Sequence, residues 1–515
     1  MFTILKLCRN GTTNSYSVLP SRFKTKTHWS QLKKKTGPKY KALNHFDDFY
    51  GSVFGDKWEP IREAMLRRSK YVAVINNFGD SEETMEYLTN RDAHCLKKLM
   101  TVQHEFDAKY NPIAVPNEPS LDSFSKMDEY ASKLQGDEIS SIYPQSDNVP
   151  DRLETKDMTL QSSERVEEQK EAFTEPQIHP LDETVEDIDT SRIIDPSMGL
   201  TAEALYQYIP ATQLKGMDDW VPESLQYSFY ANSKHKDFPL VIEPETEFSF
   251  PEHLKVFTYE KDSEWSMFPE PKRCQTGVFN YYPMDCGSVL AVLALCLQPG
   301  ERVLDMCSAP GGKALVALQT MMPQIIVCND VSITRLNRTQ HIFKDYLPDY
   351  ETNPKWRERV ATSRVDGRDY VDDQGFDKVL VDVPCTTDRL SVTRIEDNNI
   401  FRADRVKERL KLPEVQAQLL SNALSLVRPG GAVVYATCSL SPAQNDGAVH
   451  AALRHAFESR GITAVVRDLT PAMRPLRSTV TFAEGPIAPR YGQLVIPCLS
   501  ANFGPSYVAR LVRVK

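Results

Sequence analysis

The chain has 515 residues, of which 41% are hydrophobic and 25% charged, and its formal net charge is −9. This length accommodates two or three domains with a large core, and the longest apolar run, around 289–297, is too short to cross a bilayer. The negative charge argues against a nucleic-acid partner, but residues 113–200 alone hold 21 acidic and 7 basic side chains. The remainder carries a small basic excess, so a basic binding face is compatible with the composition.

The ten cysteines are scattered through the chain, with no CxxC pair and no His/Cys cluster. This spacing gives no metal site, and it is typical of reduced thiols in an intracellular protein rather than of a disulfide framework.

The N-terminus is basic: residues 1–46 contain no Asp or Glu but several Lys and Arg among Ser, Thr and Leu. This composition predicts a mitochondrial presequence, assigned to residues 1–26, and an ordinary basic N-terminus is the alternative. The stretch 31–41 is either an arm that contacts phosphates or a solvated tail.

Two further regions precede the predicted catalytic domain. Residues 27–110 form a predicted N-terminal helical region, because apolar and charged residues follow helical spacing there. This region is expected to be a small domain or a cap on the catalytic domain. Residues 111–245 are assigned to an acidic, largely disordered linker, since most of this segment cannot bury enough apolar surface to offset chain entropy. The role of 196–245 stays open.

Residues 246–515 alternate between short apolar runs and helical patterns. The predicted strands are 255–259, 302–306, 325–329, 359–364, 378–383, 432–437, 463–468, 492–497 and about 507–514. The predicted helices are 285–297, 312–321, 333–346, 412–427 and 445–459. This alternation predicts an α/β fold with a doubly wound parallel sheet, and the last two strands predict a hairpin at one edge.

A glycine-rich turn, SAPGGK, joins a predicted strand to a helix at 308–313. Such a turn offers free backbone N–H groups and lets a ligand approach closely. It matches neither GxGxxG nor GxxxxGK[ST], so a ligand site and a plain tight turn remain equally open.

Polar residues follow the next two strands. Asp330 lies about twenty residues after the turn, where an acid can bind ribose hydroxyls or simply cap a helix. Asp366 and Gly367 end the third strand, where they can hold an adenine or make a turn. Because these signals share one sheet edge, together they favour an adenosine-bearing ligand without a pyrophosphate.

Two cysteines follow core strands at that same edge, Cys385 in LVDVPCTTDR and Cys438 in VVYATCSLS. A single buried cysteine is usually an inert small hydrophobe. Two at the ligand edge favour a reactive pair, with structural thiols or an incidental redox pair as the alternatives.

The order and spacing of SAPGGK, DVPC and ATCS resemble the Sun-domain RNA cytosine-5 methyltransferases over about residues 248–515. DVPCTTDR, LVIPCLSANFGP and NHFDDFYGSVFGDKW resemble the mitochondrial branch that methylates small-subunit ribosomal RNA. The resemblance implies a Rossmann-like, S-adenosylmethionine-dependent methyltransferase sheet and a location in the mitochondrial matrix.

The resemblance also implies roles for individual residues. Cys438 would be the nucleophile that adds to cytosine carbon 6, Cys385 would assist breakdown of the adduct, and Asp382 would bind the ring and border the cofactor. The cofactor S-adenosylmethionine would further contact the following residues: Gly311, Gly312, Lys313, Asp330, Arg335, Asp366 and Gly367.

The implied substrate is mitochondrial ribosomal RNA, in a single-stranded or loop region from which a cytosine can leave the stack. The basic segment 401–413 is a candidate RNA contact, with an exposed charged helix as the alternative. Implied partners are mitoribosomal subunits and a helical-repeat protein that resembles mitochondrial transcription-termination factors. Two other functions stay open: a ribosome-assembly factor whose catalysis is dispensable, and a methyltransferase acting on DNA or tRNA.

Overall fold

Apolar runs that end in Asp, Asn or Thr form the central strands of the molecule. The computed structural model describes residues 37–110, 238–263, 268–393 and 399–515. The predicted presequence and the part of the predicted linker before residue 238 lie outside these ranges. The described strands are β1 Val72–Ile75, β2 His94–Cys95, β3 Val241–Pro244, β4 Val256–Thr258, β5 Tyr281–Met284, β6 Arg302–Asp305, β7 Ile325–Asn329, β8 Val360–Ser363, β9 Phe376–Asp382, β10 Val427–Thr437, β11 Ala464–Asp468, β12 Gly492–Val495 and β13 Ser506–Arg513.

The described helices flank these strands. They are α1 Pro38–Phe54, α2 Trp58–Leu66, α3 Ser81–Thr89, α4 Leu96–Tyr110, α5 Cys286–Leu293, α6 Gly312–Gln319, α7 Ile333–Tyr346, α8 Pro354–Arg359, α9 Asp388–Thr393, α10 Val406–Leu426, α11 Asp446–Arg460 and α12 Thr470–Met473. Within the described ranges, no helix is both long and apolar enough to span a membrane.

The main sheet has the order β3-β11-β13-β10-β9-β6-β7-β8, with β12 also paired to β13. The five neighbouring strands β10, β9, β6, β7 and β8 are all parallel. Their carboxyl ends therefore meet at one edge, as ligand binding in a doubly wound sheet requires. The predicted Rossmann-like α/β fold is confirmed.

The predicted terminal hairpin forms, because β12 and β13 pair antiparallel. Its predicted place at a sheet edge is wrong, because β13 lies between β10 and β11 and pairs antiparallel with both. Strand β11 thereby becomes an internal strand, and β3 covers its other side.

Helices cover both faces of the sheet, which explains why its central strands are apolar throughout. Along β9, Val379 and Val381 enter one core cluster with residues of α10 and α11. Leu380 enters the opposite cluster with residues of α5 and α6. This alternation leaves the strand ends free to present polar groups.

The N-terminal region packs directly on the part of the chain that forms the main sheet. It is helical, as predicted, but β1 also pairs antiparallel with β4 and β5 in a second, smaller sheet. Phe46 of α1 contacts Phe401 edge-on, with ring centroids 5.1 Å apart. The N-terminal region and the main sheet therefore share one core.

Candidate active site

The two predicted reactive cysteines meet at the carboxyl ends of neighbouring parallel strands. Asp382 at the end of β9 is in register with Ala436 near the end of β10, so the loops that follow both strands start side by side. The Sγ atoms of Cys385 and Cys438 are 2.9 Å apart. Cys438 is exposed, whereas Cys385 is buried. The structure thus brings the thiol of an exposed residue against the thiol of a buried one.

The surroundings of Cys438 favour its neutral thiol form. Its hydrogen bond with Cys385, the displacement of water by protein and the charge of Asp382 raise the pKa of Cys438 well above the usual value. The nearby Lys313 ammonium acts in the opposite direction. Because only a thiolate is a strong nucleophile, Cys438 must lose its proton when a substrate arrives.

A fully buried carboxylate, Asp388, connects the two cysteine loops. It accepts hydrogen bonds from Tyr50 Oη at 2.6 Å, Leu440 N at 2.7 Å and Ser439 Oγ at 3.2 Å, and also from Thr386 Oγ1. Thr386 directly follows Cys385, and Ser439 directly follows Cys438. Asp388 therefore fixes both loops to each other and to helix α1. The apolar spacing that marks helices gives no signal for this contact.

Lys313 and Asp382 form the second polar pair of the site. Lys313 Nζ lies 2.6 Å from Asp382 Oδ2, and the Lys313 side chain is only 14% exposed. Although burial opposes a charged ammonium, Asp382 raises the pKa of Lys313 above its usual value. The pair holds a positive and a negative group beside Cys438.

The glycine turn brings Lys313 into position. Gly311 caps α6 with φ 101°, a conformation that L side chains rarely adopt. A Cβ atom on Gly311 would lie 2.6 Å from Thr339 Cγ2, and one on Gly312 would lie 2.9 Å from Tyr282 Oη. Both glycines are therefore required for close packing as well as for an open backbone at the turn.

Several acceptors near the glycine turn have no hydrogen-bond partner within the described ranges, although they are buried. They are both carboxylate oxygens of Asp305, Ser308 Oγ and Asp330 Oδ2, although Asp330 Oδ2 is also in an ion pair with Arg335. Burial is the larger cause and the negative charge of Asp382 the smaller one, and together they raise the pKa of Asp305 to about 7. Such unpaired acceptors fit a ligand that brings an ammonium group and hydroxyl donors, as S-adenosylmethionine does.

Of the remaining predicted cofactor residues, Arg335 lies in α7 after β7, and Asp366 and Gly367 follow β8. Arg335 Nη2 donates to Ala309 O at 2.9 Å and lies 3.4 Å from Asp330 Oδ2, so it braces the glycine turn against α7. Asp366 pairs with Arg368 at 2.7 Å, and this contact lowers the pKa of Asp366.

The absence of a side chain at Gly367 allows close packing of its backbone against α10 and Met306. A Cβ atom there would lie 2.7 Å from Leu419 Cδ2 and 2.8 Å from Met306 Cγ. Gly367 O also accepts a hydrogen bond from Asn422 Nδ2 at 2.8 Å.

Three buried polar residues near the glycine turn, Asp305, Ser308 and Asn329, were not among the individually predicted site residues. The amide of Asn329 is fully buried and donates to Met306 O at 3.0 Å and Val365 O at 2.9 Å, which ties three strand ends together. A polar residue that ends an apolar strand was the available signal, and Asp305 and Asn329 both carry it.

The basic segment 401–413 is partly neutralised by its own acids. Arg402 pairs with Asp404 at 2.9 Å, and Arg405 pairs with Glu408 at 2.6 Å. No group of three or more His, Cys, Asp or Glu in the described ranges could hold a metal ion.

Comparison with known proteins agrees with this geometry. A family model described as 16S rRNA methyltransferase RsmB/F matches residues 292–472, which include both cysteines and the glycine turn. The chain is 30% identical to the 5-cytosine rRNA methyltransferase nsun-4 of Caenorhabditis elegans, over 99% of this chain and 100% of the relative. The chain belongs to the RsmB/F, or Sun-domain, family of RNA cytosine-5 methyltransferases.

Two further relatives from this family carry the same description. The chain is 31% identical to 5-cytosine rRNA methyltransferase NSUN4 of Xenopus laevis, over 96% of this chain and 95% of the relative. It is 42% identical to NSUN4 of Bos taurus, over 51% of this chain and 67% of the relative. The predicted family is confirmed, and the protein is an S-adenosylmethionine-dependent methyltransferase.

Proposed function

We propose that the protein transfers a methyl group from S-adenosylmethionine to carbon 5 of a cytosine in mitochondrial small-subunit ribosomal RNA. The contact of the Cys385 and Cys438 thiols, 2.9 Å apart beside the Lys313–Asp382 pair, is the observation that carries this proposal. The similarity to relatives named as 5-cytosine rRNA methyltransferases supports the choice of ribosomal RNA.

The reaction requires a nucleophile because carbon 5 of cytosine reacts poorly by itself. Addition of the Cys438 thiolate to carbon 6 forms a covalent bond and makes carbon 5 enamine-like. Asp382, which lines the same cavity as Cys438, would accept a hydrogen bond from the ring amino group. This hydrogen bond would disperse the negative charge of Asp382, which disfavours the Cys438 thiolate. Binding of the cytosine and deprotonation of Cys438 are therefore coupled.

Cys385 acts in the second half of the reaction. After methylation, a base takes the proton from carbon 5, its electron pair re-forms the double bond between carbons 5 and 6, and Cys438 leaves carbon 6 as a thiolate. Cys385 is sheltered and already hydrogen-bonded to Cys438, so it is placed to assist this release.

The buried acceptors around the glycine turn would hold the cofactor. Asp305 and Ser308 would receive donors from its amino-acid part, and Asp330 would receive the ribose hydroxyls. S-adenosylmethionine supplies the methyl group on a sulfonium centre, which is a good leaving group. Lys313 pairs with Asp382 and orients its carboxylate beside Cys438.

The wider proposal places the protein in the mitochondrial matrix, where it also takes part in mitoribosome assembly with a helical-repeat partner. The basic, acid-free N-terminus supports this location.

The test uses purified wild-type protein, S-adenosylmethionine with a labelled methyl group, and three RNAs: small-subunit mitochondrial rRNA, the same rRNA with 5-methylcytosine throughout, and a tRNA transcript. We expect label in the unmodified rRNA only, and bisulfite sequencing locates the cytosine. Cys438→Ser should abolish transfer while leaving cofactor binding intact. Label in the tRNA alone would contradict the substrate, and full activity of Cys438→Ser would contradict the mechanism.

A further inference from the structure

A cavity of about 240 Å³ opens directly beside Cys438. Its described lining includes Cys438, Lys313 and Asp382 from the site above, together with Leu390. Of the predicted cofactor residues, Lys313 and Asp382 line this cavity, whereas Asp330 and Gly367 are not among its described lining, so the cavity overlaps the predicted cofactor site only in part. The volume lies below the roughly 300–1,000 Å³ of pockets for drug-sized ligands, which fits one pyrimidine base better than a whole nucleotide cofactor.

Part of the cavity wall comes from the N-terminal region. Ser69 and Tyr71, between helix α2 and strand β1, both line the cavity. They lie more than 360 positions before Cys438 in the chain and outside the part that the family model matches. The wall is therefore a feature of how the N-terminal region docks on the main sheet.

Lys70 anchors this segment of the wall. Its backbone N–H donates to Asn502 O at 2.8 Å, and its side-chain Nζ donates to Ser500 O at 3.0 Å and Glu260 O at 3.3 Å. The Lys70 side chain is nearly fully buried. These hydrogen bonds of a buried lysine hold its two neighbours, Ser69 and Tyr71, in place.

Arg389, which also lines the cavity, fixes the same wall from the other direction. Its guanidinium donates to Ala64 O at 3.1 Å, Asn502 Oδ1 at 2.8 Å and Gly504 O at 2.6 Å. The end of α2 and the loop before β13 are thereby tied together. The wall is thus rigid before any substrate binds, which reduces the entropy lost on binding.

Two of the residues that line this cavity leave a large side chain uncovered. Tyr71 is 41% exposed and Leu390 is 45% exposed. Enzymes that act on an extruded base hold it by stacking against aromatic and apolar side chains and by hydrogen bonds to its polar edge. Tyr71 and Leu390 supply the first kind of contact, and Asp382 supplies the second.

We propose that Ser69 and Tyr71 form a wall of the pocket that receives the target cytosine, with Tyr71 stacking on the extruded base. This inference rests on the proposed function and adds residues from the N-terminal region to the substrate site. Ser69 lines the pocket, so a much larger side chain there should fill it and exclude the base.

The test compares steady-state methyl transfer to small-subunit rRNA by wild type, Tyr71→Ala, Tyr71→Phe and Ser69→Trp, with cofactor Kd measured by calorimetry. Tyr71→Ala should raise KM for RNA roughly ten-fold with a smaller change in kcat, because stacking on one base is lost. Tyr71→Phe should retain the wild-type KM. Ser69→Trp should abolish transfer, and the cofactor Kd should stay unchanged in all variants. Phe106→Ala, at an exposed position of α4, is the control for loss of an aromatic ring elsewhere.

The possible failures are distinguishable. Absence of cytosine methylation by wild type would overturn the proposed function and the inference with it. Wild-type KM in Tyr71→Ala, or full activity of Ser69→Trp, beside an active wild type would overturn the inference alone. A weakened cofactor Kd with an unchanged KM for RNA would assign the wall to the cofactor site and would likewise overturn it.

Discussion

Asp305 provides the sharpest prediction about stability, because its carboxyl group is buried and lacks a hydrogen-bond partner in the described ranges. Burial raises its pKa from 3.8 to about 7. Between these two values the folded protein binds a proton that the unfolded chain has released. Stability must therefore fall as pH rises through this window, and the loss is complete above pH 7.

The magnitude follows from the size of the shift. One pKa unit corresponds to about 1.4 kcal/mol, so between pH 5 and pH 8.5 the Asp305 carboxyl costs about 3 kcal/mol of folding free energy. Asp305→Asn removes this titration with little change in shape. From pH 5 to pH 8.5, the unfolding free energy of wild type should therefore fall by about 3 kcal/mol relative to that of Asp305→Asn.

Urea denaturation of both proteins at pH 5, 6, 7 and 8.5, without cofactor, measures this difference. A parallel pH dependence of the two proteins would refute the reasoning. A second readout comes from binding: because a cationic ligand stabilises the ionised Asp305, affinity for S-adenosylmethionine should rise as pH increases through 7 in wild type. This rise should be absent in Asp305→Asn.

Three further predictions concern the positioning of the site. Gly311→Ala should lower the free energy of unfolding by about 2–4 kcal/mol, because a positive φ and a steric clash combine there. Gly430→Ala, at φ 81° with open space around it, should lower it only by the backbone strain of about 1–2 kcal/mol. Urea unfolding of both variants measures the difference. Asp388→Ala should lower the free energy of unfolding by at least about 3 kcal/mol, because it leaves several buried donors unpaired, and Tyr50→Phe should lower it by about 1–3 kcal/mol. Equal stability of wild type and both variants would contradict the proposed bridge from Tyr50 to Asp388. Lys313→Met should lower kcat roughly 100-fold with the fold retained in circular dichroism, and an unchanged kcat would exclude an electrostatic role.

The sequence was informative where local pattern decides structure. Apolar runs that end in Asp or Asn located β6, β7 and β9 within a few residues, because parallel strands buried on both faces leave such runs. The glycine turn was recognisable for a similar reason, since a positive φ and close helix packing require glycine at 311.

Contacts between distant parts of the chain could not be predicted in this way. The insertion of β13 between β10 and β11 depends on pairing partners that local periodicity does not specify. Strand β1 is only four residues long and lies between helices, so the helical pattern concealed it. The bridge from Tyr50 to Asp388 and the cavity wall at Tyr71 both depend on how the N-terminal region packs against the sheet.

The central claim is that Cys438 bonds covalently to the target cytosine and that Cys385 releases it. The most direct test incubates Cys385→Ala with S-adenosylmethionine and small-subunit rRNA, isolates the denaturant-resistant protein–RNA complex and maps the cross-linked peptide by mass spectrometry. We predict an adduct on Cys438 that accumulates in Cys385→Ala and is absent from the double variant that also carries Cys438→Ser. An adduct on another residue, or none in a Cys385→Ala protein that still binds cofactor and RNA, would contradict the account.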